Sequence, residues 1–338
     1  MLHAPLVLKP QLTAQHKKSS GILTKPEALL EYLGLSPEVF GFDRSFLDSF
    51  SFRVPMSFVE RMEKGNPHDP LLMQVLPRHF SAPTSFSAQF GMDPVSDQRY
   101  QVMPGVLHKY PSRVLLVTTG ACAVHCRYCF RQAFPYENSL LQPSHWQKVL
   151  AYLEGQPQVD EVILSGGDPL VLAGDKLQRV AEMLSDISHL KYLRIHSRQP
   201  IVDPQSITSG VIDGLAGIRL KTLLVIHANH PNELDAEVYQ HLLLWRQAGI
   251  MLLNQTVLLK AVNDSLSILS RLSHRLYECH VLPYYLHQLD KVKGSEIFWV
   301  PKARARQLLA QLRAELPGFL VPTLVKDEGG TEGKNWLI

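Results

Sequence analysis

The chain has 338 residues, 45% of them hydrophobic and 19% charged, with a formal charge of only +3. That balance provides no electrostatic footprint for nucleic acid or an anionic membrane, and no apolar run approaches the ~18 to 20 residues that span a bilayer. The opening segment also lacks a secretory signal's long apolar stretch, so the expected location is the cytoplasm.

The first hundred residues carry two short helical patterns, Pro26 to Gly34 and Ser57 to Gly65, among many Pro and Asp punctuators. They read as an N-terminal helical cap, residues 1–100. From about residue 113, β-branched and aliphatic runs alternate with amphipathic stretches. Predicted strands are Arg113 to Thr119, Glu161 to Gly166, Tyr192 to Ser197, Thr222 to Ala228, Met251 to Leu258 and His280 to Leu286. Helical patterns lie between them, with apolar residues near i, i+3, i+4 and i+7. Six strand-helix units predict a parallel sheet with crossover helices, an α/β fold in the form of an open, partial (β/α)6 barrel over residues 101–300. Chemistry in such folds sits at the C-terminal strand ends. Residues 301–338 form an extension with a predicted helix at 304–316 and a strand-like stretch at 318–325.

Of four cysteines, Cys122, Cys126 and Cys129 crowd together after the first barrel strand, and Cys279 stands apart. Such bunching points to a local metal or cluster site rather than to a disulfide framework. Three thiolates at C-x3-C-x2-C spacing can ligate three irons of a [4Fe-4S] cluster and leave the fourth open. An open iron chelated by S-adenosylmethionine (SAM) could pass an electron to the sulfonium and release a 5'-deoxyadenosyl radical. The competing reading is structural zinc with His125 as fourth ligand, in a protein without catalysis; Cys279 offers no second ligand pair for it.

The cysteine spacing, with Tyr128 before the last cysteine, resembles the radical SAM signature, and Ser165-Gly166-Gly167-Asp168-Pro169 resembles that superfamily's Gly-Gly-acid motif, which contacts the methionyl amine of SAM. Glycines suit a place where a ligand approaches the backbone closely. From about Arg53 to Lys334, stretches including HCRYCFRQAFPY, ILSGGDPL, LRIHSRQPIV, HANHPNE and PYYLHQLDKVKG are similar to the lysine 2,3-aminomutases, most of all the short bacterial branch that makes (R)-β-lysine for translation elongation factor P.

This resemblance implies three cofactors: a [4Fe-4S] cluster on Cys122, Cys126 and Cys129, SAM at Ser165, Gly166, Gly167 and Asp168, and pyridoxal phosphate on Lys334. It places Lys334 after a glycine run interrupted here by Thr331 and Glu332, where a mobile lysine can leave and rejoin the cofactor. It gives Arg113, Lys109 and Thr256 to the cofactor phosphate, Arg131 to the substrate carboxylate, and Asp290 with Asp327 to the distal ammonium of lysine. The implied reaction converts (S)-α-lysine to (R)-β-lysine by radical migration of the amino group, with SAM regenerated. The implied partners are free L-lysine, a reductant such as flavodoxin or ferredoxin, and downstream elongation factor P with its lysyl ligase. Turnover of glutamate is the weaker alternative, since such an enzyme is not expected to keep the two aspartates. His125, His196, His227 and His230 are read as packing or hydrogen-bonding residues.

Overall fold

A computed structural model describes residues 21–43, 47–48, 50–80, 83–327 and 334–337. Near the N-terminus, β1 (Ile22–Leu23) and β2 (Val54–Pro55) pair as a small antiparallel ribbon. An antiparallel edge follows, made of β3 (Gln101–Met103) and β4 (Val106–Tyr110). Chain order then gives β5 (Arg113–Thr119), β6 (Glu161–Gly166), β7 (Tyr192–Ser197), β8 (Lys221–Ile226), β9 (Met251–Leu258), β10 (Leu282–Gln288) and β11 (Thr323–Lys326), all parallel. Finally β12 (Asn335–Trp336) returns antiparallel on β11.

These last ten strands form one sheet in sequence order, with β3 and β12 at its two ends. Because those ends do not pair with each other, the barrel is partial, as the six-unit pattern implies. The extension adds a seventh parallel strand to the expected six. Its helix, Lys302–Glu315, is the crossover that brings β11 into line beside β10.

The outer layer consists of helices Trp146–Glu154, Gly174–Ser185, Ser209–Ala216, Ala236–Gln247 and Leu266–Glu278. Two start at side-chain caps: Asp235 accepts from the Val238 amide and Ser265 from the Ile268 amide, satisfying donors that a helix start leaves unpaired. Their apolar faces cover alternate strand residues such as Val114, Leu116, Val162, Leu164, Leu193, Ile195, Leu224, Ile226 and Leu252. The intervening residues face the barrel interior.

Boundaries moved in several places: β8 ends at Ile226 rather than Ala228, the 318–325 stretch opens with a 3-10 turn, Gly318–Leu320, before β11, and two further shifts have a visible cause. The predicted helix at 57–65 is a single α turn, Met56–Val59; beyond it the Met62 amide bonds back three residues to Val59, and the Gly65 amide is captured by the Leu33 carbonyl. The strand expected from His280 begins at Leu282, because the Val281 amide still bonds the Leu276 carbonyl and His280 turns the chain with φ +62°.

Helices Pro26–Tyr32 and Pro70–Val75 and the segment around Phe52 and Phe58 build a second apolar core. Ala123 and Val124 of the cysteine loop and Val202 after β7 join it. The N-terminal region is thereby packed onto the segment that carries the thiols.

Candidate active site

The cysteine loop leaves the C-terminal end of β5 and is fixed by main-chain bonds from both sides. The His125 amide donates to Arg53 O (2.9 Å) and the Arg127 amide to Gln74 O (3.0 Å), while Ala121 O accepts from the Asp168 amide (2.8 Å). Cys122, Cys126 and Cys129 are unbonded to one another and half-buried. Burial pushes the Cys122 thiol well up and the Cys129 thiol up to about 12, and the neighbouring thiols push the same way, so the three sulfurs share one locality. Among the described residues, no group of three His, Cys, Asp or Glu side chains could hold a single metal ion. Sulfurs on three corners of a cubane need wider separation than ligands of one ion. His125 is engaged elsewhere: its Nδ1 lies 2.5 Å from Ser51 O and its ring stacks on Phe50. That geometry gives no support to the zinc reading.

The glycine pair ends β6 against the root of this loop. Gly166 has φ +120°, and a Cβ there would lie 2.5 Å from Thr119 O; a Cβ on Gly167 would overlap the Ala121 carbonyl. The glycines are thus required by the protein's own backbone, a closer constraint than the ligand approach expected for them. Asp168 is buried with both carboxylate oxygens engaged. Oδ1 accepts from Ser197 Oγ (2.6 Å) and the Leu170 amide (3.0 Å), and Oδ2 from the amides of Arg198 (2.7 Å) and Gln199 (2.9 Å). It locks the end of β6 to the end of β7.

Arg198 is the centre of a buried network. Its guanidinium donates to Cys126 Sγ (2.7 Å), Tyr128 Oη (2.6 Å), Gln74 Oε1 (2.7 Å) and Glu233 Oε2 (3.1 Å). Asn229 donates to Tyr128 Oη (2.6 Å), and His227 stacks on that ring. Strands β5, β7 and β8 are coupled to a cluster-ligand candidate through this one cation. Arg131, also buried, donates through Nε to Asp97 Oδ2 (2.8 Å) and through Nη1 to Ser165 Oγ (2.9 Å).

Lys334, Asp327 and Asp290, which the resemblance assigns to cofactor and substrate, lie near one another. Lys334 Nζ lies 3.2 Å from Asp327 Oδ2 and 5.7 Å from the centroid of the Tyr285 ring. Lys109 pairs with the other oxygen of Asp327. Burial would raise the Asp327 carboxyl, but Lys334 and Lys109 overcome it and hold it below the usual range. Asp290, without so close a cation, is pushed up to about 7 by burial despite the attraction of Lys334. Half-buried His287 and His196 sit in the field of Lys334, and their charged forms are disfavoured first by desolvation and then by neighbouring cations. Arg131 also acts on His196, so the Lys334 end and the Arg131 end open on one interior.

Two expected phosphate contacts are drawn elsewhere. Thr256 shares the helix-facing side of β9 with Leu252 and Leu258, and its Oγ1 donates to Ala228 O (3.0 Å) while accepting from Asn254 Nδ2 (2.8 Å). Strand alternation turns it out of the interior. Lys109 is taken by Asp327, whereas Arg113 lies over the Tyr110 ring at 4.1 Å. The glycine-containing loop 328–333 lies outside the described residues. A cavity of about 800 Å³ adjoins Cys122, Ala123, His125, Arg53 and Gln199. It lies on the N-terminal side of the cysteine loop, and neither Lys334 nor Asp290 lines it.

The family model for a 4Fe-4S single cluster domain matches residues 111–195. An L-lysine 2,3-aminomutase of Escherichia coli is 45% identical over 94% of this chain and 92% of its own length. One from Buchnera aphidicola is 39% identical over 98% of both chains, and one from Clostridium subterminale 33% identical over 91% of this chain and 74% of its own. The chain belongs to the lysine 2,3-aminomutase family. It is an isomerase of the aminomutase type, a radical SAM enzyme.

In this aminomutase the thiol triad fits a cluster by donor type and by its place on one loop at the end of β5, and ligation would hold the three sulfurs as thiolates. Lys334, half-buried beside Asp327 and the Tyr285 ring, fits a carbonyl cofactor that needs an amine partner. Arg198, Asp97, His287 and Arg194 were missed in the sequence. For Arg198 and Arg194 the charge in the HSRQP and LRIHS stretches was the signal, and a charged residue is more often solvated than buried; Asp97 and His287 stood in stretches with no such mark.

Proposed function

We propose that the enzyme converts free L-lysine to β-lysine with pyridoxal phosphate, a [4Fe-4S] cluster and SAM. The observation that carries this reading is the meeting of Lys334 with Asp327 and Asp290 in the barrel that bears the thiol triad at its strand ends. When bound, the pyridoxal group supplies a π system that lets nitrogen migrate between carbons, and the reduced cluster with SAM supplies the radical.

The chain's own residues then have distinct tasks. Cys122, Cys126 and Cys129 hold the cluster, and the stretch Ser165 to Asp168 shapes the SAM site, with Asp168 acting through the β6 and β7 ends. Arg131 takes the substrate carboxylate, for which its fork of donors is suited. Asp290 and Asp327 take the distal ammonium, which must release Asp327 from Lys334 or share it. Glutamate carries an anion at that distal end and would meet two acidic groups.

Borohydride reduction of the cofactor-loaded enzyme followed by peptide mapping is expected to label Lys334; label on another lysine would refute the cofactor site. A linked proposal is that the product is attached afterwards to elongation factor P, because a peptide-linked lysine has no free carboxylate for Arg131. Free lysine should therefore be turned over in preference to elongation factor P already bearing α-lysine. Flavodoxin or ferredoxin is the proposed electron source.

A further inference from the structure

We propose that Arg194 is an anion-holding residue on the barrel floor that takes the phosphate of the pyridoxal cofactor alongside Arg113. The proposal rests on the cofactor reading above and deepens it.

Arg194 lies in β7 between Leu193 and Ile195, which both pack in the helix-facing core, so alternation aims the guanidinium into the barrel. The residue is only 9% exposed. Its Nη2 donates to Glu161 Oε2 at 2.6 Å, but Nε is buried with no hydrogen-bond partner among the described residues. A buried guanidinium donor left open costs stability and marks a place for an acceptor.

Two neighbours report what surrounds it. Tyr285 feels Arg194 and Arg113, and its ring also lies beneath Lys334. His196 feels both Arg194 and Lys334. Contacts link the two ends as well: Lys334 lies 3.2 Å from Asp327, Asp327 accepts from Tyr110 Oη (3.4 Å), and Arg113 lies 4.1 Å over the Tyr110 ring, so the amine and the guanidinium groups line one interior. Arg194 is paired with Glu161, while Arg113 lies over the Tyr110 ring and forms no ion pair among the described residues, leaving positive charge for an anion. Lys109, the other basic residue expected there, is occupied by Asp327.

The test is titration of cofactor-free enzyme with pyridoxal phosphate and, separately, with pyridoxal, reading bound ligand by absorbance and equilibrium dialysis. Arg194→Gln is expected to weaken pyridoxal phosphate by about tenfold or more and to leave pyridoxal nearly unchanged. Glu161→Gln removes the competing carboxylate and should move the preference the other way, which keeps the proposal testable even if Arg194→Gln folds poorly. Inorganic phosphate alone should compete with pyridoxal phosphate in the wild type but not in Arg194→Gln. Equal weakening of both ligands, or an unchanged preference in both variants, would make Arg194 a structural ion pair and overturn the proposal. Failure of the wild type to bind either ligand would instead overturn the cofactor reading itself.

Discussion

Asp290 and Asp327 are chemically identical side chains held in opposite states, one pushed up to about 7 by burial and the other lowered by Lys334 and Lys109. An unfolded aspartate ionises near ~3.9. The folded protein therefore keeps the Asp290 proton that the unfolded chain would release, and this site costs stability increasingly as pH rises from about 4 to about 7. Asp327 works in reverse, stabilising the fold above the unfolded value and losing that contribution in acid. Asp290→Asn is thus expected to stabilise the protein by about 2 to 4 kcal/mol at pH 8 and to match the wild type near pH 4. Urea melts at both pH values check it; equal stabilities at pH 8 would contradict a desolvated carboxyl that its cations compensate only in part. The same ionisation should strengthen lysine binding as pH rises through about 7, and the Asn variant should lack that step.

At the scale of single elements, the ends of β6 and β9 show how strand geometry assigns roles. Gly167 faces the Ala121 carbonyl with no room for a Cβ. Gly167→Ala must therefore shift the root of the cysteine loop, and iron and sulfide retained after anaerobic reconstitution should fall by at least half while far-UV circular dichroism stays native. Thr256 presents the other case. Its hydroxyl joins Ala228 to Asn254 between β8 and β9, which also bond each other directly, so Thr256→Val should cost only about 0.5 to 1.5 kcal/mol for the lost hydrogen bonds. Affinity for pyridoxal phosphate should not change, and a tenfold loss would restore the threonine to the cofactor site. The motif residues were legible because their spacing is local. The direction of Thr256 was legible only in part, since its parity with Leu252 and Leu258 marks one face without saying which face is the interior.

For the molecule as a whole, the N-terminal region and the thiol loop share one apolar core through Phe58, Val59, Leu71, Leu72, Ala123 and Val124. Phe58 is fully buried there. Phe58→Ala should destabilise the protein by about 3 to 5 kcal/mol and lower iron retention in parallel, measured by melting temperature and iron content on the same samples. Loss of stability with iron content intact would show that the loop holds its shape without this support.

Resemblance to the family, rather than spacing, singled out Lys334, Asp290 and Asp327; the sequence by itself determined the alternation of strands and helices, the parallel order of the barrel strands and the thiol triad. Each of these is written in local spacing or in a short motif, and backbone periodicity converts spacing directly into strand, helix and face. Only the tertiary structure decided that Asp327 stands between Lys109 and Lys334, that Asp168 ties two strand ends together, and that Arg198 and Arg194 are buried cations with specific partners. Apart from the Asp327–Lys334 pair, those outcomes join residues separated by tens to hundreds of positions. They depend on which charges lose water together, a balance of desolvation against pairing that is set when the sheet curves and its interior closes.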